Sequence, residues 1–269
     1  MDFTDRLLRH DVDGLCTLTL NRPDKLNALD ERMFEAIDAV AADLEAQTET
    51  VGCVVLKGAG RAFCAGVDLG SLGARTLPPG YSGQVIERLG RLPQPLIAAI
   101  HGVCYTGALE LALTCDLIVA DPTTRFADTH GKWGLVAGSG MSERLPRRIG
   151  MARAQGMTFT ARTVGAEEAA AIGLIDVLAP EGGLDGAVAE LAAAILANSW
   201  FSNIAHKRIM RETAGLPIDA ALARGRELAP GRAPDSQERI ARFSRKSRGR
   251  AASSAWNGRA DNRRQRGDR

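Results

Sequence analysis

Short apolar runs alternate between two periods along the first half of this chain, and any fold it adopts must accommodate both. Residues 14–20 (GLCTLTL) alternate apolar and polar at period two, the pattern of a half-buried strand. They are placed to pair with Leu7 to Val12 across an Asp13-Gly14 turn, giving an opening hairpin. Asp30 then offers an acceptor at the head of a helix whose apolar positions Met33, Ile37, Val40 and Leu44 recur every three or four residues. Gly52 to Lys57 and Leu96 to Ile100 read as buried strands, Ala108 to Thr114 as a helix, and Leu117 to Ala120 as a strand again. Strand and helix follow each other in short units to about residue 145, which predicts an α/β core built from similar turns. Beyond that the spacing is helical, over 153–159, 166–172, 184–197, 203–212, 218–228 and 235–245, so the last third reads as a helical appendage.

Bulk composition permits a globular enzyme and narrows little else. The 269 residues suit one large domain or two small ones, and 45% of them are hydrophobic, ample for a packed core. Residues 245–269 carry nine Lys/Arg against two Asp while the whole chain is only +2, so the tail is basic and the body acidic. From Gly249 the apolar periodicity disappears, and a disordered, solvated tail is expected, with weak attraction to nucleic acid, anionic lipid or other phosphates as its functional alternative. The five cysteines form no CxxC pair and no Cys/His metal spacing, which fits buried thiols. The N-terminus has no apolar signal core, and no stretch approaches the roughly 20 apolar residues of a membrane span. A reducing cytoplasm is the expected setting.

Two glycine-rich segments carry the chemistry, GAGRAFCAGVDLG (58–70) and IHGVCYTGALELALTCDLIVAD (100–121). Glycine lets a backbone N–H approach a ligand without a side chain in the way. Gly107 stands just before the helical run ALELALT, so its N–H is an unpaired donor at a helix start, reinforced by the helix dipole. Glu110, three residues on, shares that helix face. A carboxylate inside the apolar run GALELAL costs several kcal/mol unless it is paired or used, so it is either a structural ion pair or a functional acid/base. Asp68 can cap the helix that follows it, and Asp116 reads as a structural turn or strand residue.

The runs NRPDKLNAL, GRAFCAGVDL, HGVCYTGALELALTCDLIVAD and RFADTHGKWGLVAGSGMSERLPRRIG, in this order and spacing, resemble the enoyl-CoA hydratase/isomerase (crotonase) family over about residues 5–247. The resemblance implies a spiral of ββα repeats over residues 1–190, a helical assembly region over 191–247 forming trimers or pairs of trimers, and the basic tail at 248–269. It implies that the N–H groups of Val67 and Gly107 hold a thioester oxygen as enolate charge develops, and that Glu110 orients or deprotonates water for addition at Cβ. His130 falls where the family keeps a second glutamate. It can donate a proton to Cα, with Asp128 orienting its ring, or it can merely line the pocket. Lys25, Leu26, Ala65 and Asp68 match places along the pantetheine and adenine of coenzyme A, while Phe243 and Lys246, and with them Lys207 or Arg208, are candidates for the nucleotide end, reached from a neighbouring subunit or lying on a solvated helix face. Residues 71–84 are expected to wall the acyl pocket, and Glu143 to be structural. The activity implied is hydration of a 2-enoyl-CoA, with coenzyme A entering as part of the substrate and no metal or redox cofactor. Isomerisation, decarboxylation or thioester hydrolysis on the same site, or a silent acyl-CoA- or RNA-binding protein using the basic tail, are the alternatives.

Overall fold

The computed structural model describes residues 5–70 and 77–244. Strands β1 (Leu7–Val12) and β2 (Leu15–Leu20) form the opening antiparallel hairpin. Its two-residue turn holds Asp13 at φ 49° and Gly14 at φ 83°, the pair of positive angles that such a tight connection requires. Asp30 caps α1 (Glu31–Glu45), accepting the Met33 N–H at 2.9 Å. The chain then lays down β3 (Cys53–Gly58), α2 (Tyr81–Gly90), β4 (Leu96–Ile100), β5 (Val103–Tyr105), α3 (Gly107–Leu113), β6 (Leu117–Ala120) and β7 (Arg125–Ala127).

Past residue 140 come α4 (Met141–Ile149), α5 (Met151–Thr160), β8 (Val164–Gly165), α6 (Ala166–Ala171), β9 (Val177–Leu178), α7 (Leu184–Leu196), α8 (Trp200–Thr213) and α9 (Ile218–Leu228). Residues 236–244 are helical as well. Six strands make one sheet in the order β1-β2-β3-β4-β6-β9, parallel from β2 onward, and β5, β7 and β8 make a second.

The central parallel strands β4 and β6 are apolar throughout, and β3 nearly so, because both their faces are covered. Val54 and Leu56 of β3 join the main core with α1 and α2, whereas Cys53 and Val55 face α7 through Val188 and Ala192. Helices α8 and α9 contact each other but bury no residue of their own, leaving Met210, Ile218 and Leu222 exposed. Among the described residues no helix is long and apolar enough to cross a membrane.

Three features depart from the expected layout. The stretch after residue 145 is not wholly helical: β8 and β9 close the edges of the two sheets, and two-residue strands are too short to show a period. Helix α4 buries Met141, Leu145 and Ile149 at four-residue spacing, a pattern hidden by Pro146 within it. Helix α2 begins at Tyr81, inside the segment expected to wall a pocket. The basic tail lies outside the described residues.

Candidate active site

The first turn of the site is held by a residue that the sequence analysis passed over. Asn27 is fully buried in a left-handed conformation, as is the backbone of Leu26 before it. Its side-chain amide donates to the carbonyls of Ala59, Ala62 and Phe63 at 2.8, 2.8 and 3.1 Å, and its Oδ1 accepts the Arg22 N–H. This staples the 58–64 loop onto the first segment. Bonds from Ala65 N–H to the Leu26 carbonyl, from Leu29 N–H to Gly66, and from Asp68 N–H to Leu29 continue the seam. The amides on either side of Val67 are thereby committed, while the Val67 N–H has no acceptor among the described residues. Gly66 is at φ 103°, and a Cβ there would lie 2.7 Å from the Tyr105 carbonyl, so only glycine fits the turn.

The second turn joins β5 to α3. Thr106 sits at φ 54°, ψ −111°, a region that β-branched residues avoid, and it does not cap the helix with its side chain. Its N–H bonds the Ala127 carbonyl, and its hydroxyl meets that of Thr129 at 2.6 Å. Gly107, the first residue of α3, has an N–H with no acceptor among the described residues. The two turns abut: a Cβ on Gly107 would come within 2.9 Å of Val67 Cγ2 and 3.4 Å of the Val67 nitrogen.

Behind these donors stand three titratable side chains. Glu110, only 3% exposed, has its Oε1 bonded by the N–H groups of Ser139 (2.8 Å) and Met141 (3.3 Å) at the start of α4. Burial pushes its pKa above the usual carboxylate range, and the Ser139 N–H, the His130 ring and the Met141 N–H offset this only in part. Its Oε2 lies 3.9 Å from His130 Nε2, too far for a direct hydrogen bond and close enough for one water to touch both. The other ring nitrogen of His130, Nδ1, is 2.7 Å from Asp128 Oδ1, which also accepts the His130 N–H. Burial would raise the Asp128 carboxyl, but the His130 ring and the Thr158 hydroxyl outweigh it and hold it below its usual range. Asp128 Oδ2 makes no hydrogen bond among the described residues, so the Thr158 contact is outside bonding geometry and the imidazole is the dominant partner.

Ala65, Val67, Asp68, Thr106, Glu110 and His130 all line one cavity of about 680 Å³. Asp68 is fixed at its rim by Arg22 at 2.7 Å, whose hydrogen bond holds the carboxyl below its usual range, and it accepts the Gly70 N–H. Lys25 and Leu26 belong to the turn that supports Ala65 but do not line the cavity, and neither does the exposed Phe243. Lys246 lies outside the described residues. Lys207, a candidate for phosphate contact, is committed elsewhere: its Nζ bonds Asp116 Oδ2 at 2.6 Å and the Gln94 carbonyl at 2.9 Å, tying α8 to the sheet. Arg208 and Glu143 are exposed and outside the cavity. Of residues 77–84, Gly80 and Ser82 reach the cavity wall, whereas 71–76 lie outside the described residues.

The five cysteines are buried free thiols, and burial pushes Cys64 beside the first turn up to about 12, so it offers no thiolate nucleophile. Among the described residues no three His, Cys, Asp or Glu side chains gather as a metal site would require. A second cavity of about 750 Å³ lies against α8. Its cations are already engaged, Arg91 with Glu87, Lys207 with Asp116, Arg144 with the Ser139 carbonyl and Arg211 with the Arg91 carbonyl, and neither Glu110 nor His130 reaches it.

Two open backbone donors beside a buried carboxylate and imidazole can hold an anionic oxygen and move a proton next to it. Known proteins of the same build agree. Residues 11–239 match the family model described as Enoyl-CoA hydratase/isomerase. A short-chain-enoyl-CoA hydratase of Clostridium acetobutylicum is 32% identical over 78% of this chain and 82% of its own length. A 1,2-epoxyphenylacetyl-CoA isomerase of Escherichia coli is 30% identical over 88% and 94%. The crystal structure of an enoyl-CoA hydratase from Bacillus anthracis is similar with a TM-score of 0.84 at 26% identity, covering 90% of this chain and 96% of that one. The chain belongs to the enoyl-CoA hydratase/isomerase family and has the crotonase fold.

Proposed function

We propose that this enzyme adds water across the double bond of a 2-enoyl-CoA thioester. The observation that carries the reading is the pairing, within one cavity, of Val67 with a buried Glu110 and His130 that face each other across 3.9 Å, and the abutment of the Gly107 turn on Val67. The amide N–H groups donate to the thioester oxygen and strengthen their hold as enolate charge develops, a contribution on the order of 3 kcal/mol per donor. Glu110 Oε2 takes a proton from water as the water oxygen bonds Cβ, and His130 Nε2 passes a proton to Cα. The π bond is lost, one C–O and one C–H bond form, and the proton left on Glu110 returns to His130 through a water that touches both. Acid/base groups placed in this way contribute about 10²–10⁴-fold each. The reaction runs on side chains and amides alone, with coenzyme A entering as part of the substrate.

A second reading keeps the cavity and moves a proton along the acyl chain without adding water. The replacement of a second carboxylate by His130 favours it, because one base suffices for such a transfer. The test is loss of the conjugated thioester absorbance with crotonyl-CoA and with a longer 2-enoyl-CoA, alongside Glu110→Gln and His130→Ala, followed by product analysis. Hydration requires a 3-hydroxyacyl product and a fall of at least about a hundredfold in Glu110→Gln. Unchanged absorbance with bound ligand would sink it, and a shifted double bond without added water would select the second reading.

A further inference from the structure

The strained residue of the site is tied to its acid/base side by a pair of hydroxyls, and nothing in the reaction as described uses them. Thr106 immediately precedes the Gly107 donor, and Thr129 immediately precedes His130. Their hydroxyl oxygens are 2.6 Å apart, and the Thr129 N–H donates to Thr106 Oγ1 at 3.3 Å. The Thr106 side chain also sits against the first turn, where a Cβ on Gly66 would lie 3.5 Å from its own Cβ. Threonine at a helix start ordinarily turns its hydroxyl onto the free amides of the first turn, a bond typically contributing about 1 kcal/mol. Here it makes no such bond. The hydroxyl is bonded to Thr129 instead, the Gly107 N–H, which a capping side chain does not reach, has no acceptor among the described residues, and the backbone keeps φ 54°, ψ −111° against the preference of a β-branched residue.

We propose that Thr106 and Thr129 form a clasp that positions the Gly107 donor relative to His130, so that oxyanion stabilisation and proton transfer act on one substrate pose. Both are positioning residues, and the inference rests on the hydratase reading of the site. Misplacing a reacting group by about 1 Å can cost a hundredfold. A partial loosening is therefore expected to lower kcat about tenfold with KM little changed.

The experiment compares wild type with Thr129→Val, Thr129→Ser and Thr106→Gly in three readouts: kcat and KM for crotonyl-CoA, Tm, and the absorbance red shift of a bound aryl-conjugated enoyl-CoA thioester. That red shift reports polarisation of the carbonyl by the two amides without requiring turnover. The clasp is supported when Thr129→Val loses red shift and kcat at unchanged Tm while Thr129→Ser restores both. Thr106→Gly supplies a control against simple unfolding, because glycine occupies this backbone region without strain. It should keep or raise Tm while losing red shift. Full red shift and kcat in Thr129→Val and Thr106→Gly overturn the clasp and leave the hydratase reading standing, and losses that merely track a falling Tm overturn it too. A wild type that binds the thioester with no red shift and no turnover removes the oxyanion reading, and the clasp falls with it.

Discussion

Glu110→Gln separates what the carboxylate does for the reaction from what it does for the fold, because the two effects have opposite signs. The amide has nearly the shape of the carboxylate, so the Ser139 and Met141 N–H groups at 2.8 and 3.3 Å still find an acceptor. Each of those bonds changes from charge-assisted to neutral, a loss of about 1 kcal/mol apiece. Against this, Gln removes the cost of a charge that is 3% exposed, and the upward displacement of the Glu110 pKa says that burial exceeds every favourable contact the charge makes. A carboxyl raised in the folded state makes the ionised form a burden above its folded pKa. That burden is relieved as pH falls through the folded pKa and is gone below the unfolded value. Thermal unfolding should therefore give a higher Tm for Glu110→Gln at neutral pH, where each 1 kcal/mol is about 2–4 °C in a chain of this size. The difference from wild type should shrink steadily toward acid pH. Hydration should fall about 10²–10⁴-fold over the same range. A lower Tm at neutral pH with turnover retained would refute the reasoning and make Glu110 a structural partner of His130.

Asp128→Asn can keep an oxygen against His130 Nδ1 and the His130 N–H but removes the carboxylate charge that now lies 2.7 Å from the ring. We expect kcat to fall at least about tenfold with an altered pH profile, and a profile identical to wild type would dismiss Asp128 as an orienting group. Asn27→Ala leaves the carbonyls of Ala59, Ala62 and Phe63 without their donor in a buried site. Urea denaturation should show a loss on the order of 3 kcal/mol, and a loss below about 1 kcal/mol would contradict the stapling role. Deleting residues 249–269 should leave turnover of crotonyl-CoA unchanged, whereas a protein that works through RNA would lose its RNA affinity in a filter-binding assay.

The opening hairpin, α1, β3, β4, α3 and β6 were legible because each carries an uninterrupted period of two or of three to four residues, or a bounded apolar run. Glu110 announced itself by standing charged inside GALELAL, and it is buried as that pattern requires. Asp128 and His130 sit two residues apart, and their pairing was expected only once the family resemblance had singled out His130. Lys207 illustrates the opposite case. A lysine on a helix carries no mark of its partner, and Asp116 lies 91 positions away in sequence.

The open amides of Val67 and Gly107 belong to the backbone, so the sequence can show only the glycines that make room for them. What presents them lies elsewhere in the chain. The Val67 amide stays free because Asn27, Leu26 and Leu29 take up the bonding capacity around it. Gly107 stays free as the first amide of its helix, and the Thr106 hydroxyl, bonded to Thr129, holds the strained turn that presents it. Three of the five non-glycine residues with positive φ among the described residues, Leu26, Asn27 and Thr106, belong to these two supports. Strain of about 1–3 kcal/mol per such residue persists only where surrounding bonds over-determine the conformation. Here those bonds are the buried Asn27 amide on one side and the Thr106–Thr129 hydroxyls on the other. The positions to mutate when asking how the cavity maintains two unsatisfied donors are therefore an asparagine and two threonines that contribute no charge to the reaction.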